Sequence, residues 1–181
     1  MRLSLRLHPD SLSLAATHIG VDVAPSHAGS LVLCYFVTGK ISGLRLPPLA
    51  AAVRAQELWQ RTCFEAFVRC EASDIYYEFN FAPSTQWAAY QFDGYRSGMR
   101  EASGVSAPAI AVKTSSALFR LQTSLALAQL SDLPGDSKWR LGLSALIEET
   151  SGGKSYWALA HPPGKPDFHH PDCFAHEFSP T

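Results

Sequence analysis

The sequence lacks the marks of several common protein classes. Basic charge is not in excess: 15 Lys and Arg stand against 16 Asp and Glu, for a net charge of −1. The cations are scattered, so there is no electrostatic footprint for nucleic acid or an anionic membrane surface. No apolar run approaches the length of a membrane span. Arg2, Arg6 and His8 break up the leucines of the opening MRLSLRLHPDSL, so no signal peptide is read and a cytoplasmic protein is expected. The four cysteines, Cys34, Cys63, Cys70 and Cys173, form no CxxC pair, which argues against a zinc ribbon and for reduced, mostly buried thiols. No nucleophile elbow, P-loop or HExxH motif occurs. Helical periodicity is thin: a short helix is expected over 47–58 (PPLAAAVRAQEL), and a single turn near 128–132.

What the sequence does contain is alternation. Hydrophobic residues make up 46% of the chain, enough for one domain, 1–181, to bury a core. Period-two patterns predict strands at 2–8, 30–38, 63–70, 75–82, 87–93, 109–115, 118–127, 139–149, 155–160 and 173–178. Turn-forming clusters separate them: HAGS, SGLRLPP, LPGDS, SGGK and PPGKP. About ten strands with few helices predict an all-β, antiparallel β-sandwich, with a closed barrel as the rival.

The stretch LWQRTCFEAFV, residues 58–68, sets a carboxylate in the middle of an apolar strand. If EASD is the loop joining 63–70 to 75–82, Glu65 falls opposite Asn80, Phe67 opposite Glu78 and Arg69 opposite Tyr76. The other face collects Phe64, Ala66, Val68, Tyr77, Phe79 and Phe81 and is core. A slip of one residue would bury the charges, so this register is well specified. The mixed face, with Arg61, Glu65, Glu78 and Asn80 beside Phe67 and Tyr76, has two readings. One is a solvated sheet surface with cross-strand pairing, such as Arg61 with a carboxylate. The other is a shallow ligand face, where polar groups bond sugar hydroxyls and aromatic rings stack on the sugar's C–H face.

Three further features invite chemistry. HPPGKPDFHHPDCFAHEF gathers His161, His169, His170 and His176 near Asp167 and Asp172. These could hold a metal or haem, or simply close the sandwich edge. Glu65 and Glu78 could be an acid–base pair for glycoside cleavage. Tyr95 and Arg96, between Gly94 and Gly98, form a loop tip that could rim a ligand site.

LWQRTCFEAFV, YYEFNFAPSTQWAAYQFDGYRSGM and SYWALAHPPGKPDFHHPDCFAHEF together resemble the bacterial DOMON-like proteins, which are similar to family 9 carbohydrate-binding modules. The resemblance runs from about residue 30 to the C-terminus. It implies a jelly-roll or immunoglobulin-like sandwich and ligand binding without catalysis, in a superfamily whose members bind sugars or haem. It also implies that Trp59 stacks on a sugar and that Glu65 bonds its hydroxyls, with Asn80 as neighbour. The second aromatic wall falls to Trp157, Phe168 or a histidine such as His169.

The function expected is therefore a non-enzymatic module for a small ligand, a saccharide foremost. Trp59 would stack, Arg61, Glu65, Glu78 and Asn80 would supply hydrogen bonds, and Trp157, Phe168 and His169 would border the site. No cofactor, nucleic acid or membrane is expected, and the oligomeric state is left open. The alternatives are a haem or metal binding domain, a protein-interaction domain and a weak glycoside hydrolase.

Overall fold

The computed structural model describes residues 1–26, 30–134 and 137–179. Residues 27–29 of the HAGS turn and 135–136 of the LPGDS turn lie outside them. Among the described residues there are twelve strands: β1 (Arg2–Leu7), β2 (Ala16–Ser26), β3 (Ser30–Gly39), β4 (Cys63–Cys70), β5 (Tyr76–Phe81), β6 (Trp87–Phe92), β7 (Arg100–Glu101), β8 (Ala109–Thr114), β9 (Leu118–Ala126), β10 (Trp139–Glu148), β11 (Lys154–Ala158) and β12 (His176–Phe178). The helical elements among them are short 3₁₀ turns, and no helix is long and apolar enough to cross a membrane.

All strand pairs are antiparallel, and one hydrogen-bonded path joins them in the order β7-β6-β5-β4-β10-β11-β1-β2-β3-β9-β8, with β12 added beside β10. The sheet curls through β1. Its first residues, Arg2–Leu5, pair with β2, whereas Arg6 and Leu7 pair with β11. The two halves of the sheet thereby face each other. Phe64 of β4 stacks on Phe119 of β9 at 5.5 Å, and the Tyr35 hydroxyl of β3 donates to the Glu65 carbonyl at 2.7 Å. Alternation fills the space between: Ile19, Val21, Leu33, Val37 and Leu121 meet Phe64, Ala66, Val68, Phe79 and Leu143 in one cluster. Burying each such large side chain contributes about 1.5–3 kcal/mol. The four cysteines are free and buried.

Two expectations change. Residues 47–57 form no helix; they run as irregular chain up to the 3₁₀ turn Leu58–Gln60. Their backbone is bonded elsewhere: Ala50 N–H donates to Ser84, Ala55 N–H to Trp87, and Trp87 N–H to Val53. A helix would have to break these bonds, and Pro47 and Pro48 supply no N–H of their own. The other change is β2, an eleven-residue strand that the periodicity reading omits.

The outer face of β4, β5 and β6 is also covered. Phe67, Tyr76, Ala88, Tyr90 and Phe92 pack with Phe174 of the C-terminal segment, and Leu58 and Phe168 join them. Gly142 of β10 permits this close approach, since a Cβ there would lie 3.1 Å from the Cys173 carbonyl and 3.3 Å from Phe67 Cβ. The mixed face is therefore not a solvated sheet surface. It is the floor of a second, smaller interior.

Candidate ligand-binding site

The β4–β5 hairpin has the register that its alternation predicts: Glu65 opposes Asn80, Phe67 opposes Glu78, and Arg69 opposes Tyr76. On the other side of β4, Ser144 of β10 opposes Glu65. Glu65, Glu78, Asn80 and Ser144 thus share one face, and all are buried. Ser144 Oγ donates to Glu65 Oε2 at 3.1 Å. Asn80 Nδ2 donates to Glu78 Oε1 at 2.6 Å, and Asn80 Oδ1 accepts from the Cys63 thiol at 3.5 Å.

A cavity of about 170 Å³ opens over Glu65 and Glu78. Trp59, carried by the 3₁₀ turn before β4, lines it. Tyr156 of β11, Pro166, Phe168, His169, Leu146 and Arg96 line the rest of the wall. A second lobe of about 260 Å³ continues past Trp59 and Glu78 to Tyr90, Phe92 and Met99. The two lobes share Trp59, Glu78, Arg96 and His169, so they form one groove. Together they have the size of small-ligand pockets.

The rim is tied down by side-chain bonds. Asp167 accepts from both Arg96 Nη2 at 2.8 Å and Arg96 Nε at 3.2 Å, from the Tyr95 hydroxyl, and from the His169 backbone N–H at 3.1 Å. The Tyr76 hydroxyl accepts from the Arg96 N–H at 3.3 Å and lies 2.8 Å from His169 Nδ1. With Tyr76 donating to Nδ1, the imidazole proton sits on Nε2 and faces Glu78 across 3.7 Å.

Charge in this interior is strongly perturbed. Burial pushes the Glu65 carboxyl up to about 8, the Glu78 charge adds to the push, and the Ser144 bond opposes it. Burial likewise lifts Glu78 to about 7 against the Asn80 bond and Arg96. Burial, then Arg96, holds the His169 imidazole down to about 4, with Asp167 opposing. His169 is thus neutral near pH 7, and its approach to Glu78 is not an ion pair. Two near-neutral carboxyls side by side can both donate and accept, and such perturbed groups concentrate at functional sites.

Of the residues singled out from the sequence, Trp59, Glu65, Glu78, Phe168 and His169 line the cavity. Asn80 lies beneath, holding Glu78. Arg61 is spent elsewhere, 2.9 Å from Glu148, whose carboxylate also takes Arg45 at 3.3 Å. Trp157 packs in the main core with its indole N–H on Ser155 at 3.0 Å. Its neighbour Tyr156 faces the cavity instead. Tyr156 pairs with Leu146 on β10, two residues from Ser144 and on the same face.

No protein-family model matches the sequence, and no curated protein matches it. Solved structures do. The chain shares its fold with a candidate carbohydrate-binding protein. That protein, from Bacteroides uniformis, is 15% identical, with a TM-score of 0.69 over 95% of this chain and 83% of that one. A family 9 carbohydrate-binding module from Caldicellulosiruptor kristjanssonii, solved with glucose, is 12% identical, with a TM-score of 0.47 over 88% of this chain and 76% of that one.

The C-terminal histidines do not converge. His161 Nε2 lies 2.8 Å from the Arg6 carbonyl, His169 is bonded to Tyr76, and His170 Nδ1 accepts from the Asp172 N–H at the 3₁₀ turn Pro171–Cys173. Among the described residues no group of three or more His, Cys, Asp or Glu side chains is arranged to hold a metal ion. Sequence reasoning assigned no role to Tyr156 or Leu146. It placed Arg96 at a loop tip, and Arg96 lines both lobes.

Proposed function

We propose that this chain is a non-enzymatic module that binds a small saccharide in the groove over β4 and β5, in a DOMON-like fold related to family 9 carbohydrate-binding modules. One observation carries the reading: two buried carboxyls, Glu65 and Glu78, the latter held from beneath by Asn80, floor a cavity lined with aromatic rings. Sugars need this combination. Their hydroxyls take paired hydrogen bonds from groups that both donate and accept, and their C–H faces stack on rings. Trp59 is 41% exposed, an unusual position for a tryptophan unless something covers it. The likeness in fold to a candidate carbohydrate-binding protein supports the same reading.

The test is an NMR titration of labelled protein with a panel of mono- and disaccharides, with Trp59→Ala as control. Shifts at the Trp59 indole and along β4 and β5, lost in the variant, are expected. No shift with any sugar would remove the reading. The paired near-neutral carboxyls also suit a weak glycoside hydrolase. Turnover of a chromogenic glycoside, abolished in Glu65→Gln, would decide for that alternative.

A further inference from the structure

Four buried glutamates distinguish this fold, and they are treated in two ways. Glu148 is met by Arg61 and Arg45. Glu149 accepts the backbone N–H groups of Leu14 at 2.8 Å and Ala15 at 2.9 Å, and the Ser13 hydroxyl. These two are satisfied by the chain itself. Glu65 and Glu78, 4% and 5% exposed, are not. Each has one bonded oxygen, Glu65 Oε2 to Ser144 and Glu78 Oε1 to Asn80. Among the described residues, Glu65 Oε1 and Glu78 Oε2 accept no hydrogen bond within 3.5 Å and no Lys or Arg is paired with either side chain; the neutral His169 Nε2 stands off Glu78 Oε2 at 3.7 Å. Arg96, the cation nearest the cavity, is already paired with Asp167. Both unsatisfied carboxyls line the cavity.

We propose that the saccharide bound here is an amino sugar, its protonated amino group seated between the free oxygens of Glu65 and Glu78. The proposal rests on the saccharide reading above and names the class of sugar. An ammonium carries three donors and a positive charge, and so supplies what the two carboxyls lack. The rings of Trp59, Tyr156 and Phe168 line the same cavity, and aromatic π systems favour a cation. A neutral sugar brings no counter-charge, so with it the two carboxyls stay protonated and make only neutral hydrogen bonds, which are weaker than charge-assisted ones. Seating an ammonium favours the ionised form of both, so binding expels the protons that the empty site holds.

The experiment compares glucosamine, N-acetylglucosamine and glucose by calorimetry at pH 7. Wild-type protein should bind glucosamine about tenfold more tightly than either uncharged sugar, the margin expected when a charged donor replaces a neutral one. The heat of glucosamine binding should change with the ionisation enthalpy of the buffer, reporting proton release, whereas that of glucose should not. In Glu65→Gln and Glu78→Gln, checked for folding by NMR dispersion, the preference should vanish. Glucose or N-acetylglucosamine binding as well as glucosamine would overturn the ammonium assignment and leave the saccharide reading standing. So would a preference that survives in both variants, because the amine would then sit elsewhere. Wild-type protein that binds no sugar would overturn both. The buffer dependence needs no variant, so the proposal stays testable even if the glutamine substitutions unfold the chain.

Discussion

Replacing Glu65 by Gln should make this protein more stable, and only above about pH 5. The side chain is buried at the cavity it shares with Phe168 and His169, and its carboxyl keeps its proton up to about 8 in the fold, against 4.5 for an ordinary glutamate. The folded state therefore binds more protons than the unfolded state between those values. Stability is full below 4.5, falls as pH rises, and levels off above about 8. Each pH unit in that window costs about 1.4 kcal/mol, so about 3 kcal/mol is lost by pH 7. That is a large share of the roughly 5–15 kcal/mol that holds a domain together. Gln has the same shape, can still accept from Ser144 and does not titrate. Urea unfolding followed by tryptophan fluorescence should give nearly equal midpoints at pH 5. At pH 8 the variant should be ahead by roughly 3–4 kcal/mol with an unchanged slope. Wild type should still lose stability between pH 7 and 8, where the variant, left with Glu78 near 7, should not. Stability curves that run parallel from pH 5 to 8, or a variant weaker at pH 8, would refute the claim that a carboxyl is buried here without compensation.

Other perturbations separate the site from its support. Trp59→Ala removes a half-exposed ring and should change stability by less than about 1 kcal/mol in urea melts, while abolishing sugar-induced shifts. Phe67→Ala opens the apolar floor between Tyr76, His169 and Phe174 and should cost about 3–5 kcal/mol by the same melts. His169, held at about 4 rather than 6.5, contributes stability above 6.5 that is lost as pH falls through 4; its ring carbons should show a neutral imidazole at pH 5 by NMR. Tyr76→Phe breaks the link from Arg96 to His169 and should cost about 1 kcal/mol, with amide exchange rising at 166–170.

The hairpin was legible because its information is local. Eight alternating residues, a short loop and six more fix the pairing of Glu65 with Asn80 without reference to the rest of the chain. β2 was harder, although Ile19, Val21 and Val23 alternate inward. Gly20 interrupts the pattern, and Pro25 stands near its end. The structure explains the glycine: a Cβ at position 20 would lie 2.4 Å from Cε2 of Phe36, whose ring crosses it from β3. The residue that weakens the strand signal is thus set by a partner strand. In 47–58 the error ran the other way. Alanine-rich composition favours a helix, but the segment's backbone is engaged by hydrogen bonds with Ser84 and Trp87 instead.

At the site, the face was legible and its surroundings were not. Parity placed Arg61 on the same face as Glu65, and that holds. Cys63 pairs with Leu146, so the next step on that face brings Arg61 to Glu148, where its charge is consumed. Parity also decides between Trp157 and Tyr156, but only once β11 is known to pair with β10 and Tyr156 to oppose Leu146. What local pattern leaves open is water. A face carrying Glu65, Glu78 and Asn80 reads as wet when taken alone. What dries it is Phe168, His169 and Phe174, brought from the far end of the chain and held by Asp167 and Arg96. The same cover turns two ordinary carboxylates into groups that titrate near neutral pH. A chain that needed only to fold would do better with apolar side chains at 65 and 78. Keeping two carboxyls there, beside a glutamate at 148 that is fully paired, is the structural cost of a site that waits for a ligand to complete it.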